Sequence, residues 1–181
     1  MSTLKPPVGP HDHVRGAPDA PITLVEYGDY ECPHCGRAYW ILKSLEEAMG
    51  DDLRFVFRNF PLSQVHPHAL TAAHAAEAAG LQGRFWGMHD LLFENQEFLE
   101  GPHILQYALR CGLDLDRFAR DVESEVVAAK VKADFLSGAR SGVNGTPTFF
   151  VNGHRYDGSW EPGPFLAALN ALRENVPDPP H

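Results

Sequence analysis

Short extended runs and longer helical periods alternate along the chain in a definite order. Thr23-Leu24-Val25-Glu26-Tyr27 clusters β-branched and aromatic residues, the composition of a strand over residues 22–28. After Pro33, the apolar positions Ala38, Ile41, Leu42, Leu45 and Met49 recur at helical spacing, and Gly50 stops the run as a C′ residue does. Leu53, Phe55 and Phe57 then alternate with Arg54 and Arg58, giving a second strand that ends at Phe60-Pro61. Strand, helix and strand without a tight turn predict a βαβ unit, with parallel strands and a right-handed crossover.

From about residue 63 to 142 the pattern turns helical. The Ala-rich stretch 68–79 is a strong helix former that stops at Gly80, and Phe85, Met88 and Leu92 mark a second helix. Gly101-Pro102 breaks the chain before a third helix ending at Gly112. Asp114 or Asp116 caps a short fourth, and Ser124 opens a fifth in which Val127, Val131 and Phe135 repeat. This block reads as an insertion, because strand character returns after it. Residues 145–151 and 154–157 flank Asn152-Gly153, a type I′ hairpin signal. Pro147 cannot donate to a ladder, so it begins its strand or lies at an edge. Phe165, Leu166, Leu169 and Leu172 describe a closing helix. The predicted organisation is an irregular N-terminal arm over 1–21, one domain over 22–175 and a Pro-rich tail over 176–181.

Composition narrows the class. The 181 residues suffice for one domain with a real core, and 44% of them are hydrophobic. Fifteen Lys and Arg stand against 24 Asp and Glu, and the net charge of −9 argues against nucleic acid or an anionic membrane surface as partner. No run approaches the roughly 18 apolar residues of a membrane span. The first 21 residues hold no apolar h-region, so a cytoplasmic location is expected, or an exported one if a leader has been trimmed away.

Three cysteines do not make a disulfide-stapled scaffold. Cys32 and Cys35, in Cys32-Pro33-His34-Cys35, sit at the junction of the first strand and its helix. Cys32 is near the N-cap, with Pro33 at N1, where a missing N–H costs nothing. Free N–H groups and the positive end of the helix dipole favour a thiolate at Cys32. Cys35 lies one turn inward, placed to close a disulfide with it. His34 adds a positive charge or a donor that stabilises the reduced thiolate. Asp29 and Glu31 oppose the effect and are expected to point into water. Cys111 falls in line with Ile104 and Ala108 and reads as inert packing on a buried helix face.

Other residues admit a sharp and a bland reading. Glu26 alternates onto the face of Ile22 and Leu24; it is either a partly buried acid behind Cys35 that relays its proton, or a solvated strand-edge Glu. His66, His68 and His74 invite a metal site shared with the cysteines, but solvated or helix-capping histidines are preferred, so no metal is assigned. Phe85, Trp86 and Met88 read as core, and Arg37 as a solvated base able to attract an acidic substrate.

Cys32-Pro33-His34-Cys35 after the first strand, Glu26 within it, Gly145-Thr146-Pro147-Thr148 opening the third strand and the helical block between the halves together resemble a DsbA-like thiol–disulfide oxidoreductase of the thioredoxin superfamily. The resemblance covers about residues 14–175. It implies an α/β thioredoxin fold, a βαβ half and a ββα half around a mixed sheet, with a helical insertion. It further implies that Cys32 is the nucleophile and Cys35 the resolving thiol of a redox-active CxxC pair, and that Pro147 is cis. The backbone of Thr146 then lies beside the pair, where an extended substrate chain can bind. No cofactor is implied; the partners are protein or peptide disulfides and dithiols, plus a redox partner that recycles the pair. Threonine before Pro147, where the oxidising branch more often has valine, leaves the direction of electron flow open. A non-catalytic module that binds extended peptides, its thiols serving as a redox sensor, is the alternative.

Overall fold

The computed structural model describes residues 1–177. Its sheet has five strands, in the order β1 (His13–Gly16), β3 (Leu53–Asn59), β2 (Ile22–Gly28), β4 (Thr148–Val151) and β5 (His154–Tyr156). Strand β2 (Ile22–Gly28) is central. It pairs in parallel with β3 (Leu53–Asn59), from Ile22↔Leu53 to Gly28↔Asn59, and antiparallel with β4 (Thr148–Val151). Helix α1 (Pro33–Met49) makes the crossover between β2 and β3. Strand β5 (His154–Tyr156) returns antiparallel to β4 through Asn152 and Gly153, whose φ values of 48° and 84° both suit a type I′ turn. Helix α7 (Pro162–Glu174) closes the chain. The fold is therefore the thioredoxin α/β fold expected from the sequence.

Five helices separate the halves: α2 (Ala69–Leu81), α3 (Phe85–Glu94), α4 (Gly101–Arg110), α5 (Leu115–Val122) and α6 (Glu125–Arg140). Asp114 caps α5 by accepting from Arg117 N, and Ser124 caps α6 by accepting from Val127 N. Pro102 lies in the first turn of α4, where its missing N–H is harmless. Gly80 does not end α2: the helix runs to Leu81, and the chain leaves it through Gly83 at φ +74°. A Cβ at Gly80 would stand 3.2 Å from the His13 ring, a tight approach that would press on that ring. In α6, a Cβ at Gly138 would come within 2.7 Å of the Phe60 ring and 3.0 Å of Tyr27, which lets α6 press against the sheet.

Alternation along the strands divides the core between the two faces. Ile22, Leu24, Phe55, Phe57, Phe149 and Val151 pack with α1, α7 and much of the insertion, whereas Val25, Tyr27, Val56 and Phe150 pack with Phe60, Val143 and Leu4. Glu26 stands opposite Phe57 and Phe149 in the ladder and is buried. A polar network ties the insertion to β3. Asn59 Nδ2 donates to Glu77 at 2.8 Å and to Asp134 at 2.9 Å, while Glu77 also meets His13 at 2.8 Å.

The first 21 residues correct the expectation of an irregular arm. They contain β1 (His13–Gly16), antiparallel to β3, and Thr3 bridges to His154 on the opposite edge. The strand escapes a hydrophobic pattern search because polar contacts hold it. Arg15 grips Glu46 through two nitrogens, at 2.7 and 2.8 Å, and its guanidinium lies 4.5 Å from the Trp86 ring. Arg58, expected on the polar side of its strand, is instead covered by this segment and paired with Asp12 at 2.8 Å. Of the Pro-rich tail expected over 176–181, residues 178–181 lie outside the described residues. Among the described residues, no helix is long and apolar enough to cross a membrane.

Candidate active site

The end of β2 delivers the chain into a sharp turn, and α1 begins at once. Cys32 is the N-cap of α1, in an extended conformation (φ −69°, ψ 122°), with Pro33 at N1. His34 and Cys35 then occupy N2 and N3, whose N–H groups have no partner within the helix. An N-cap side chain normally accepts from these two amides. In the thiol form the Cys32 sulfur makes no such bond; its contact is a donation to Thr146 O at 3.6 Å. Ionisation removes that donor and leaves the sulfur an acceptor for the amides.

The two sulfurs are electrostatically opposite. Hydrogen bonding from Cys35 contributes most to bringing the Cys32 pKa down to about 5, against the opposing effect of burial; the Thr146 side chain and the Cys35 and His34 amides add to it. Burial pushes the Cys35 thiol well up, and the neighbouring Cys32 and Glu26 push it further. At neutral pH the arrangement therefore holds a thiolate at Cys32 in front of a protonated thiol at Cys35. Both cysteines are free, so this is the dithiol form.

Glu26 is buried within electrostatic reach of both cysteines. Burial first, then the charge of Cys32, pushes its pKa up to about 8, and its Oε1 has no hydrogen-bond partner. A carboxyl in this position is neutral at pH 7 and holds a proton close to Cys35. The bland reading of Glu26 as a solvated edge residue fails on its 2% exposure. Thr146 and Pro147 are half-buried beside Cys32, and the Thr146–Pro147 bond is cis. A second cis bond, Lys5–Pro6, lies in the N-terminal segment.

Asp29 corrects the expectation that it points into water. It is buried, and its Oδ1 accepts from Glu31 N at 2.8 Å and Cys32 N at 3.2 Å. Its Oδ2 accepts from Leu62 N at 2.9 Å and meets His66 Nδ1 at 2.8 Å. Burial opposes a charge on His66, but the hydrogen bond and charge of Asp29 prevail and raise its pKa. The carboxylate thus fastens the redox turn to the loop after β3, and His66 offsets its charge. Asp accepting from the amide N–H two residues later is a local Asx-turn pattern that the sequence could have shown. Its bond to His66 joins residues 37 positions apart and had no local signal. Glu31 is also engaged, accepting from His68 N at 2.6 Å.

The remaining candidates disperse. His34 is exposed and contributes through its backbone amide, whereas the sequence pointed to its ring. His74 faces Val122 O at 3.2 Å, and among the described residues no three His, Cys, Asp or Glu side chains converge as a metal ion requires. Arg37 pairs with Glu161 at 2.8 Å and lies 4.4 Å from the Trp160 ring. Phe85 and Met88 are core residues, and Trp86 packs half-buried against them. Cys111 is half-buried at the C-cap of α4, not on its fully buried face.

A thiol with its pKa near 5 has a specific kinetic signature, because only the thiolate is alkylated. The iodoacetamide rate at Cys32, measured in a Cys111→Ser background, is expected to rise through about pH 5 and to level off by pH 7. A rate that instead climbs around the ordinary thiol value of about 8.5 would contradict the electrostatics described here.

Comparison with known proteins agrees with this architecture. The family described as Thioredoxin matches residues 9–171. A thioredoxin-like oxidoreductase from Silicibacter pomeroyi is 30% identical, with a TM-score of 0.77 over 92% of this chain and 94% of that one. The α-DsbA1 of Wolbachia pipientis is 21% identical, with a TM-score of 0.79 over 93% of this chain and 94% of that one. A protein of Mycolicibacterium gilvum named Na(+)/H(+) antiporter NhaA 1 is 45% identical over 175 residues, which is 96% of this chain. The chain spans 28% of that relative's length. The chain belongs to the thioredoxin family and has the fold of its DsbA-like thiol–disulfide oxidoreductases.

Proposed function

We propose that the chain exchanges disulfides with protein or peptide substrates through Cys32 as nucleophile and Cys35 as resolving thiol, without a cofactor. The observation that supports this most is the placement of Cys32 at the start of α1 and 3.6 Å from the Thr146 carbonyl, with Cys35 buried one turn behind. A substrate strand running along residues 146–147 would bring its sulfur up to Cys32, its backbone adding to an extended edge.

In the oxidising direction, a substrate thiolate attacks Cys32 of the Cys32–Cys35 disulfide. The sulfur–sulfur bond breaks, and Cys35 leaves as a thiolate that takes a proton from Glu26. A second substrate thiolate then attacks the substrate sulfur of the mixed disulfide and expels Cys32 as a stable thiolate. The substrate is oxidised by two electrons and the chain holds them as a dithiol, which a redox partner must reoxidise. In the reverse direction Glu26 receives the Cys35 proton. Forming the mixed disulfide removes the Cys32 charge that helps keep Glu26 protonated, so the carboxylate becomes available when Cys35 must ionise. The lowered pKa of Cys32 stabilises the dithiol form and favours the oxidising direction.

Three measurements test these roles. Cys35→Ala incubated with a disulfide-bearing peptide is expected to accumulate a mixed disulfide at Cys32; peptide binding indifferent to both cysteines would support a non-catalytic binding module instead. Glu26→Gln is expected to slow resolution by Cys35 at pH 7 by about ten- to a hundredfold, within the range of general acid–base contributions. Resolution rates equal to wild type from pH 6 to 8 would remove Glu26 from the mechanism. Equilibration with glutathione is expected to give a potential above roughly −220 mV, on the oxidising side of thioredoxin at about −270 mV. A value at or below that of thioredoxin would reverse the assigned direction while leaving the exchange chemistry in place.

A further inference from the structure

Gln96 had no role in any sequence pattern. It lies between α3 and α4, in the insertion, and reaches across to the redox turn. Its Nε2 donates to Tyr30 O at 2.8 Å and to Cys32 O at 2.9 Å. Gly36, on the first turn of α1, makes room for it: a Cβ there would come within 2.6 Å of the Gln96 Cδ and collide with Oε1. The conformation of Gly36 is ordinary helix, so its missing side chain serves the approach of Gln96.

The position of this contact matters because of Pro33. The Cys32–Pro33 peptide has no N–H, so its plane can be held by hydrogen bonding only through Cys32 O. That oxygen accepts from Gly36 N at 3.0 Å within the helix and from Gln96 from outside it. Tilting the plane would swing the next two amides, of His34 and Cys35, relative to the Cys32 sulfur. Tyr30 O, held by the same amide group, fixes the other end of the turn.

We propose that Gln96 is a positioning residue through which the helical insertion holds the redox turn in the geometry that favours the Cys32 thiolate. This rests on the redox reading above and adds a specific lever to it. The ionisable groups facing Cys32 are Cys35 on α1, Glu26 on β2, Asp29, which accepts from Cys32 N, and His66 in the loop after β3. Gln96 is uncharged, so a neutral replacement alters none of these charges, and any change in Cys32 acidity reports geometry.

The test is a double-mutant cycle on the full chain, with Gln96→Met, Gly36→Ala and the pair together. Methionine keeps the volume and reach of glutamine but donates no hydrogen bond; Gln96→Ala is a second neutral variant should the first fold poorly. Two readouts are followed: the Cys32 thiolate titration, as the 240 nm absorbance of the reduced minus the oxidised protein, and the equilibrium with glutathione. Each single variant is expected to lower the thiolate fraction below the midpoint and to shift the equilibrium toward the chain's disulfide form by about three- to tenfold, the worth of one hydrogen bond. The double variant should differ little from either single one, because both break the same contact. An unchanged titration and equilibrium, with only a lower melting temperature, would make Gln96 a structural brace and overturn the proposal. That outcome is separable from failure of the redox reading, which would show as no mixed disulfide trapped by the otherwise wild-type Cys35→Ala chain.

Discussion

One constraint governs this site: three ionisable groups are buried together at the start of α1, where one negative charge is stabilised. A charge on Cys32 raises the cost of ionising both Glu26 and Cys35, and Glu26 raises it further for Cys35. Helix geometry chooses among them. The Cys35 thiol at N3 donates to the N-cap sulfur and the Cys35 and His34 amides add to it, so the charge goes to Cys32 while Cys35 and Glu26 remain protonated. The unequal acidity of the two sulfurs and the protonation of Glu26 follow from that choice.

Holding the arrangement requires anchors on both sides of the turn. Asp29 gathers the amides of Glu31, Cys32 and Leu62 and adds His66, which fixes the descending limb to the loop beyond β3. Gln96 grips the outer limb from the insertion. Buried carboxylates are tolerated where several donors meet them, and Asp29 has four. Glu26 has an oxygen with no partner, which is the usual circumstance of a carboxyl kept neutral. Two acids three residues apart therefore sit in opposite surroundings: Asp29 meets four donors, and Glu26 leaves an oxygen without one.

The insertion thereby reaches the Cys32 turn as well as covering the sheet. Its core contribution comes from residues such as Phe85, Met88 and Leu92, and its polar contribution from Glu77 and Asp134 around Asn59 at the end of β3. The N-terminal segment acts in a comparable way on the opposite side, covering Arg58 and adding an edge strand beside β3.

The sequence by itself determined the order of elements, the βαβ and ββα halves, the type I′ turn and the position of Cys32-Pro33-His34-Cys35 at a helix start. All of these depend on neighbours in the chain: side-chain period, proline and glycine placement, capping residues. Strand β1 was illegible because Arg15 fastens it to partners 31 and 75 positions away, with no apolar alternation to mark it. Only the tertiary structure decided that Asp29 is buried and bonded, that the His34 ring stays in solvent, and that Thr146 and Gln96 meet Cys32 from opposite ends of the chain's middle. Those contacts join residues that local propensity cannot relate. They exist because packing the insertion and the ββα half on one sheet leaves these polar groups facing each other with little water to share.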